Sequence, residues 1–266
     1  DCLTRFVKPL AHRKLLKFLL FLAVAGVSSE IAYGIFPQYD LFLPRLTTLL
    51  SSLSNHSTLF VISSIHTGSR ILLGLLLGIF SATSLALIAA LFPAVRPTLE
   101  RWTMWSQTMP VPLFSPLLGL LFGYNLVSAA IVIALICFFP IYLGWQQGRL
   151  ALARDVSLLA MSYQPRRIRY IVCILMPAAL PYALIGVKGA VNLAVLGAVI
   201  AEFSAAGPGL GMLMLKGIRE LDPAKSWGAM FILMSFAACM TALVNRLQHS
   251  KLFSYMGVMH EHPELP

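Results

Sequence analysis

The chain has 266 residues, 58% of them hydrophobic and 11% charged, with a mean hydropathy of +0.81; a soluble domain carries roughly a quarter charged residues, so an ordinary soluble enzyme and a disordered chain are both excluded. The net charge of +10 does not make a nucleic-acid binder, because the cations stand between long apolar runs instead of covering one solvated face. The length suits one polytopic membrane domain without a second globular one.

A bilayer core takes about 20 apolar residues per helix, and six windows meet or approach that length. The first, Leu15–Phe36, follows the basic stretch from Arg5 to Lys17. Secretory signal peptides begin in the same way, but the apolar run continues through Ile31 to Phe36, as in a retained anchor. The second, Ile71–Phe92, contains Gly74 and Gly78, four apart as on a close helix-packing face, within one bundle or between two copies. Arg70 opens this span, and Glu30 lies near the end of the first on the same side; the two could pair, or each could anchor its own helix. The third window, Trp102–Gly123, is interrupted by Pro110, Pro112 and Pro116. Proline at membrane depth frees backbone carbonyls, which is tolerated only against protein or a wet cavity. The fourth is Leu126–Trp145. The fifth, about Ile171–Ala201, exceeds one crossing, which predicts an interfacial or strongly tilted start. Trp227–Val244 is the sixth.

Cations set the expected orientation. With the N-terminus inside, fourteen fall on the cytoplasmic side: five from Arg5 to Lys17, then Arg96, Arg101, Arg149, Arg154, Arg166, Arg167, Arg169, Arg246 and Lys251. The opposite connections hold four, namely Arg45, Lys216, Arg219 and Lys225. Both termini are therefore expected in the cytoplasm.

Within the spans, Lys188 stands out, because an intramembrane charge is costly and usually faces a bundle interior. It could line a path, pair with a carboxylate or snorkel along its stem. Asn192 follows one turn later on the same face. Glu202, at the outer end of that span, could gate an outer mouth or simply be solvated. Gly207-Pro-Gly-Leu-Gly211 reads as a flexible turn, since no strand precedes it as a dinucleotide fingerprint requires. Cys2, Cys137, Cys173 and Cys239 show neither disulfide nor metal spacing and read as small buried hydrophobes. His249, His260 and His262 fall in a polar tail. No metal ligand set and no nucleophilic catalytic motif is expected.

The connection between spans four and five, LARDVSLLAMSYQPRRIRYIVCILMPAALPY at residues 152–182, carries a short helical pattern from Val156 to Ser162, then Pro165, then three arginines. It resembles the cytoplasmic EAA loop of permease subunits in binding-protein-dependent ABC importers, followed by the Leu-Pro-Ala-Ala-Leu-Pro stretch that opens their next span, here Met176-Pro177 to Pro181. Gly186-Val187-Lys188-Gly189, Gly197 through Phe203 and Gly209-Leu210-Gly211 are similar to the nitrate, sulfonate and taurine branch, as are Pro110 to Pro116, Phe122-Gly123 and Phe138-Phe139-Pro140. Within that branch the likeness is greatest to permeases for thiamine-precursor pyrimidines or riboflavin. Ser162-Tyr163 fits the branch's Ser-Tyr-Gly. The loop's usual Glu falls on Leu158, its alanines on Leu159 and Ala160, and its usual Gly on Gln164.

The resemblance implies an all-α membrane protein of six transmembrane helices with the type-1, MetI-like permease fold. It implies residues 1–36 as N-terminus and first helix, 59–247 as the permease core with its coupling loop at about 148–170, and 248–266 as a cytoplasmic tail. Leu158, Leu159, Ala160, Ser162, Tyr163, Gln164 and Arg166 would contact the ATPase, and Pro110, Pro112, Pro116, Lys188, Asn192 and Glu202 are candidates for the path. The implied partners are an ATPase pair, a second permease copy, an extracytoplasmic binding protein and the lipid bilayer. The sequence has no G-x-x-x-x-G-K-[ST], so it lacks the usual phosphate cradle; no cofactor is expected in the chain, ATP and Mg²⁺ belonging to the partner. An ion-coupled secondary transporter would show inverted repeats with carboxylates at the midplane. A membrane transferase would show clustered catalytic polar groups at one interface.

Overall fold

The computed structural model describes residues 44–108, 110–152, 165–205 and 207–248, and all regular structure among them is helical. The described elements are α1 (Leu46–Asn55), α2 (Ser57–Leu91), α3 (Arg96–Thr108), α4 (Val111–Phe122), α5 (Leu126–Ala151), α6 (Arg167–Tyr170), a π-helical turn (Ile171–Leu175), α7 (Met176–Ala205), α8 (Leu210–Arg219) and α9 (Pro223–Gln248). Four of the helical stretches are long and apolar enough to cross a membrane: Ser57–Leu91, Leu126–Ala151, Arg167–Ser204 and Pro223–Arg246. They contain the fourth, fifth and sixth predicted spans, and the second up to Leu91, one residue short of its expected end. The first predicted span and the tail lie outside the described residues.

The third predicted span is not one helix. It is divided into α3 and α4 on either side of Pro110, whose extended backbone opens α4. Pro112 falls in the first turn, where its missing N–H is harmless, and Pro116 sits inside the helix. At 12 residues α4 is about 18 Å long, too short to cross the hydrocarbon alone. By contrast α2, with 35 residues, is about 52 Å long and exceeds the bilayer core. The lengthy fifth window has a local cause for its irregular start. Pro177 cannot donate a backbone hydrogen bond one turn back, and the wide π-helical turn stands just before it.

The described chain forms two units, one of residues 44–61 with Leu213–Phe231 and the other of Ile62–Met212 with 232–248. In the first, Gly228 lies against Phe60 and Leu53, the Ser226 hydroxyl donates to the Met214 carbonyl at 3.1 Å, and Lys225 bridges Glu220 and Asp222. In the second, α5 and α7 make the most extensive pairing. The buried stripe of α7, including Ala183, Val187, Ala190, Val191, Ala194 and Ala198, repeats at helical spacing and packs with Ile133, Cys137 and Ile141 of α5. Small residues bring the helices close, as membrane packing requires. Gly148 abuts Ala179, and Gly186 abuts the Pro140 carbonyl. The choice left open for Gly74 and Gly78 falls on packing within the chain, against Ile133 and Cys137 of α5.

Tight local chemistry starts α5. Gly123 adopts a positive φ of 80°, which favours glycine, and the Asn125 side chain accepts from the backbone N–H groups of Val127 and Ser128 in a capping box. The cysteines depart in part from expectation. Cys137 is buried and its thiol reaches the Ala190 carbonyl at 3.4 Å, but Cys173 and Cys239 are exposed. On a helix surrounded by lipid, an outward thiol is no worse placed than a small hydrophobe.

Candidate functional site

Two charged residues of α7 mark two different environments. Glu202, near its C-terminal end, is 1% exposed, and Arg70 of α2 is 7% exposed. The Arg70 Nη1 group donates to Glu202 Oε1 at 2.9 Å and to the Pro208 carbonyl at 2.7 Å. Thr67, one turn before Arg70, donates from its hydroxyl to the same Oε1 at 2.7 Å and accepts from the Leu210 N–H at 2.8 Å. The backbone N–H of Gly211 donates to Oε2 at 2.7 Å. The carboxylate thus receives three hydrogen bonds, two of them from the partner helix α2. A buried charge is tolerable only when paired and hydrogen-bonded in this way.

This network gives Arg70 a partner and corrects the reading of Gly207–Gly211 as a flexible turn. Arg70 pairs with Glu202, 132 residues away, whereas Glu30 lies outside the described residues. The Gly207–Gly211 segment is not a loose turn but is stapled at Pro208, Leu210 and Gly211. Its glycines have a steric reason: a Cβ at Gly209 would overlap the Glu202 carboxylate, and one at Gly211 would crowd it. Glu202 is accordingly enclosed, not solvated.

Lys188 is the opposite case. It is exposed, it belongs to the apolar span Arg167–Ser204 near its middle, and it forms no salt bridge among the described residues. Asn192 is exposed one turn on, and a Cβ built at Gly189 meets nothing within 4 Å. Ile185 and Leu196, 60% and 53% exposed, continue the same face above and below. This strip lies opposite the buried stripe that packs on α5. Facing lipid, a lysine at the centre of a span costs about 2.5–3.5 kcal/mol.

Pro110, Pro112 and Pro116 are all exposed, while Ser115 and Gly119 face inward from α4. Leu118 packs with Val132 and Ala201, so α4 adjoins both α5 and α7. Arg166 is exposed and caps α6 with extended backbone. The other residues expected to contact an ATPase, Leu158, Leu159, Ala160, Ser162, Tyr163 and Gln164, lie outside the described residues. Among the described residues no group of three His, Cys, Asp or Glu side chains stands close enough to hold a metal ion. Sequence reading missed Thr67 as a partner of Glu202; its signal was only its position one turn before Arg70 on the same helix face.

The family model for the inner membrane component of binding-protein-dependent transport systems matches residues 74–250. A protein of Haemophilus influenzae named "Probable ABC transporter permease protein" is 29% identical over 91% of this chain and 98% of its own. The formylaminopyrimidine transport permease ThiX of Halalkalibacterium halodurans is 26% identical over 86% of this chain and 92% of its own. A Bacillus subtilis permease, SsuC, named for aliphatic sulfonates, is 27% identical over 70% of this chain and 67% of its own.

Proposed function

Because the chain belongs to the family of inner membrane components of binding-protein-dependent transport systems, we propose that it is the permease subunit of an ATP-driven importer for a small solute delivered by a binding protein. The chain is an ABC transporter permease, a membrane transport component and not a catalytic subunit. In the proposed assembly two copies pair around a two-fold axis, an ATPase pair docks at the Leu158–Gln164 region on the cytoplasmic side, and both termini are cytoplasmic.

The observation that carries the pathway reading is the uncovered Lys188 face of α7. A charge and an amide on the midspan of a membrane helix need water or protein opposite them. A second copy across that face supplies the opposite wall and turns an unpaired strip into a polar path. The neighbouring α4, short and rich in proline, supplies backbone that lipid would not tolerate unaided. Nucleotide-driven closure of the ATPase pair would tilt the spans joined by the coupling loop, and two packings of the bundle then give alternating access.

For the substrate, the proposal is a pyrimidine of the thiamine-precursor type. The support is the relative named for formylaminopyrimidine transport, which aligns over more of this chain than the sulfonate relative does. Thermal unfolding of the cognate binding protein against an aminopyrimidine, riboflavin and an alkanesulfonate decides among them. A shift with the aminopyrimidine alone is expected, and a shift with the sulfonate alone contradicts the assignment. Reconstituted uptake requiring the binding protein, the ATPase and ATP together tests the importer itself; uptake driven by an ion gradient without the ATPase would overturn it.

A further inference from the structure

Away from the Lys188 face, the ends of α2, α3 and α5 meet the π-helical turn and the start of α7 around a half-open cavity of about 40 Å³. Its floor is apolar, formed by Ala86, Ala89, Ala90, Met176 and Ala179, and its rim carries Arg96, Glu100 and Arg149. The volume admits a few water-sized groups and no whole ring solute, so this is not a substrate site.

The rim is electrostatically incomplete. Two arginines face one carboxylate, and the Arg149 Nη2 group stands a long 3.5 Å from Glu100 Oε1. The Arg96 Nε–H is buried without a hydrogen-bond partner among the described residues. The Tyr142 hydroxyl lies beside Gln146 but does not meet it with the geometry of a hydrogen bond, and Tyr142 is 2% exposed. A buried donor left without an acceptor is unfavourable. An oxyanion in the cavity would balance the excess positive charge and supply an acceptor that Arg96 lacks.

We infer that the cavity binds the phosphate of an anionic phospholipid headgroup from the cytoplasmic leaflet. The cation asymmetry puts this end of the spans on the cytoplasmic side, where anionic headgroups lie. A free phosphate has no use for the apolar floor, whereas a lipid continues onto the apolar surface next to the lining residue Ile171, where Val172 is 53% exposed. The site is independent of what the transporter carries.

The test uses the assembled transporter in detergent, with phosphatidylglycerol, phosphatidylcholine of the same chains and inorganic phosphate as probes. Bound lipid is read by native mass spectrometry and stabilisation by thermal unfolding. Phosphatidylglycerol is expected to be retained over phosphatidylcholine and to raise the unfolding temperature. Arg96→Gln should weaken that binding about tenfold, as loss of a charge-assisted hydrogen bond does. Glu100→Gln, which removes the carboxylate competing for Arg149, should tighten it about threefold. Equal retention of the two lipids overturns the proposal. Inorganic phosphate stabilising as much as phosphatidylglycerol overturns the lipid assignment. If Arg96→Gln fails to assemble, Glu100→Gln decides alone, and unchanged binding there is also contrary.

Discussion

The two ends of one comparison lie on a single helix. At Glu202, α7 places a charge at 1% exposure with three hydrogen-bond donors converging on its carboxylate; at Lys188, fourteen residues earlier in the sequence, it leaves a charge exposed with no salt bridge among the described residues. Both are ionisable residues in an apolar helix, and composition alone treats them alike. What separates them is completion. The chain supplies every partner of Glu202 and leaves the Lys188 face to something else. An intramembrane charge can therefore be structural or functional, and its local partners tell which.

The largest effect is expected where the network is complete. Glu202→Ala leaves Arg70 buried and unpaired, so it should cost about 3–5 kcal/mol of stability, read as lost complex yield and a lower unfolding temperature. A variant as stable as wild type would break the comparison at its root. Replacing both partners, Arg70→Met with Glu202→Leu, should recover much of that loss, because no charge is then left unpaired.

Next comes the loop that closes over the carboxylate. Gly209→Ala puts a methyl group into the space held by Glu202 and should cost about 1–3 kcal/mol through overpacking. The penalty should shrink in a Glu202→Ala background, where the methyl has room. Strictly additive losses would mean that the two do not touch.

A smaller effect is expected for the pair Arg149–Glu100, whose side chains are 27% and 31% exposed. Its double-mutant cycle should yield a coupling of about 0–1 kcal/mol. A coupling as large as that of Arg70–Glu202 would show that burial is not what distinguishes the two pairs.

Much of this organisation was legible in the residues. Apolar runs located the four long spans, because a 20-residue window reports lipid solubility directly, and the Gly74–Gly78 spacing foretold a close helix contact. Three things were not legible. Three prolines within seven residues announce a break but not its place; the extended backbone at Pro110 sets it. The Glu202 partner of Arg70 was not foreseen, because the sequence suggested only Glu30 on the same expected membrane face and pairing over 132 residues is fixed by helix packing alone. The rim of Arg96, Glu100 and Arg149 gathers two connections whose charges, read in line, merely set orientation. Family likeness drew attention to Glu202 but carried no information on whether its carboxylate was enclosed.

The most direct test of the account measures ATP- and binding-protein-dependent uptake per assembled complex in proteoliposomes for Lys188→Met and Glu202→Gln. Lys188→Met should assemble at wild-type yield, and its uptake should change about tenfold, the scale of one charged contact. Glu202→Gln should lower yield but leave uptake per surviving complex near wild type. The reverse pattern, in which Lys188→Met transports normally and Glu202→Gln assembles fully but does not transport, would contradict the account.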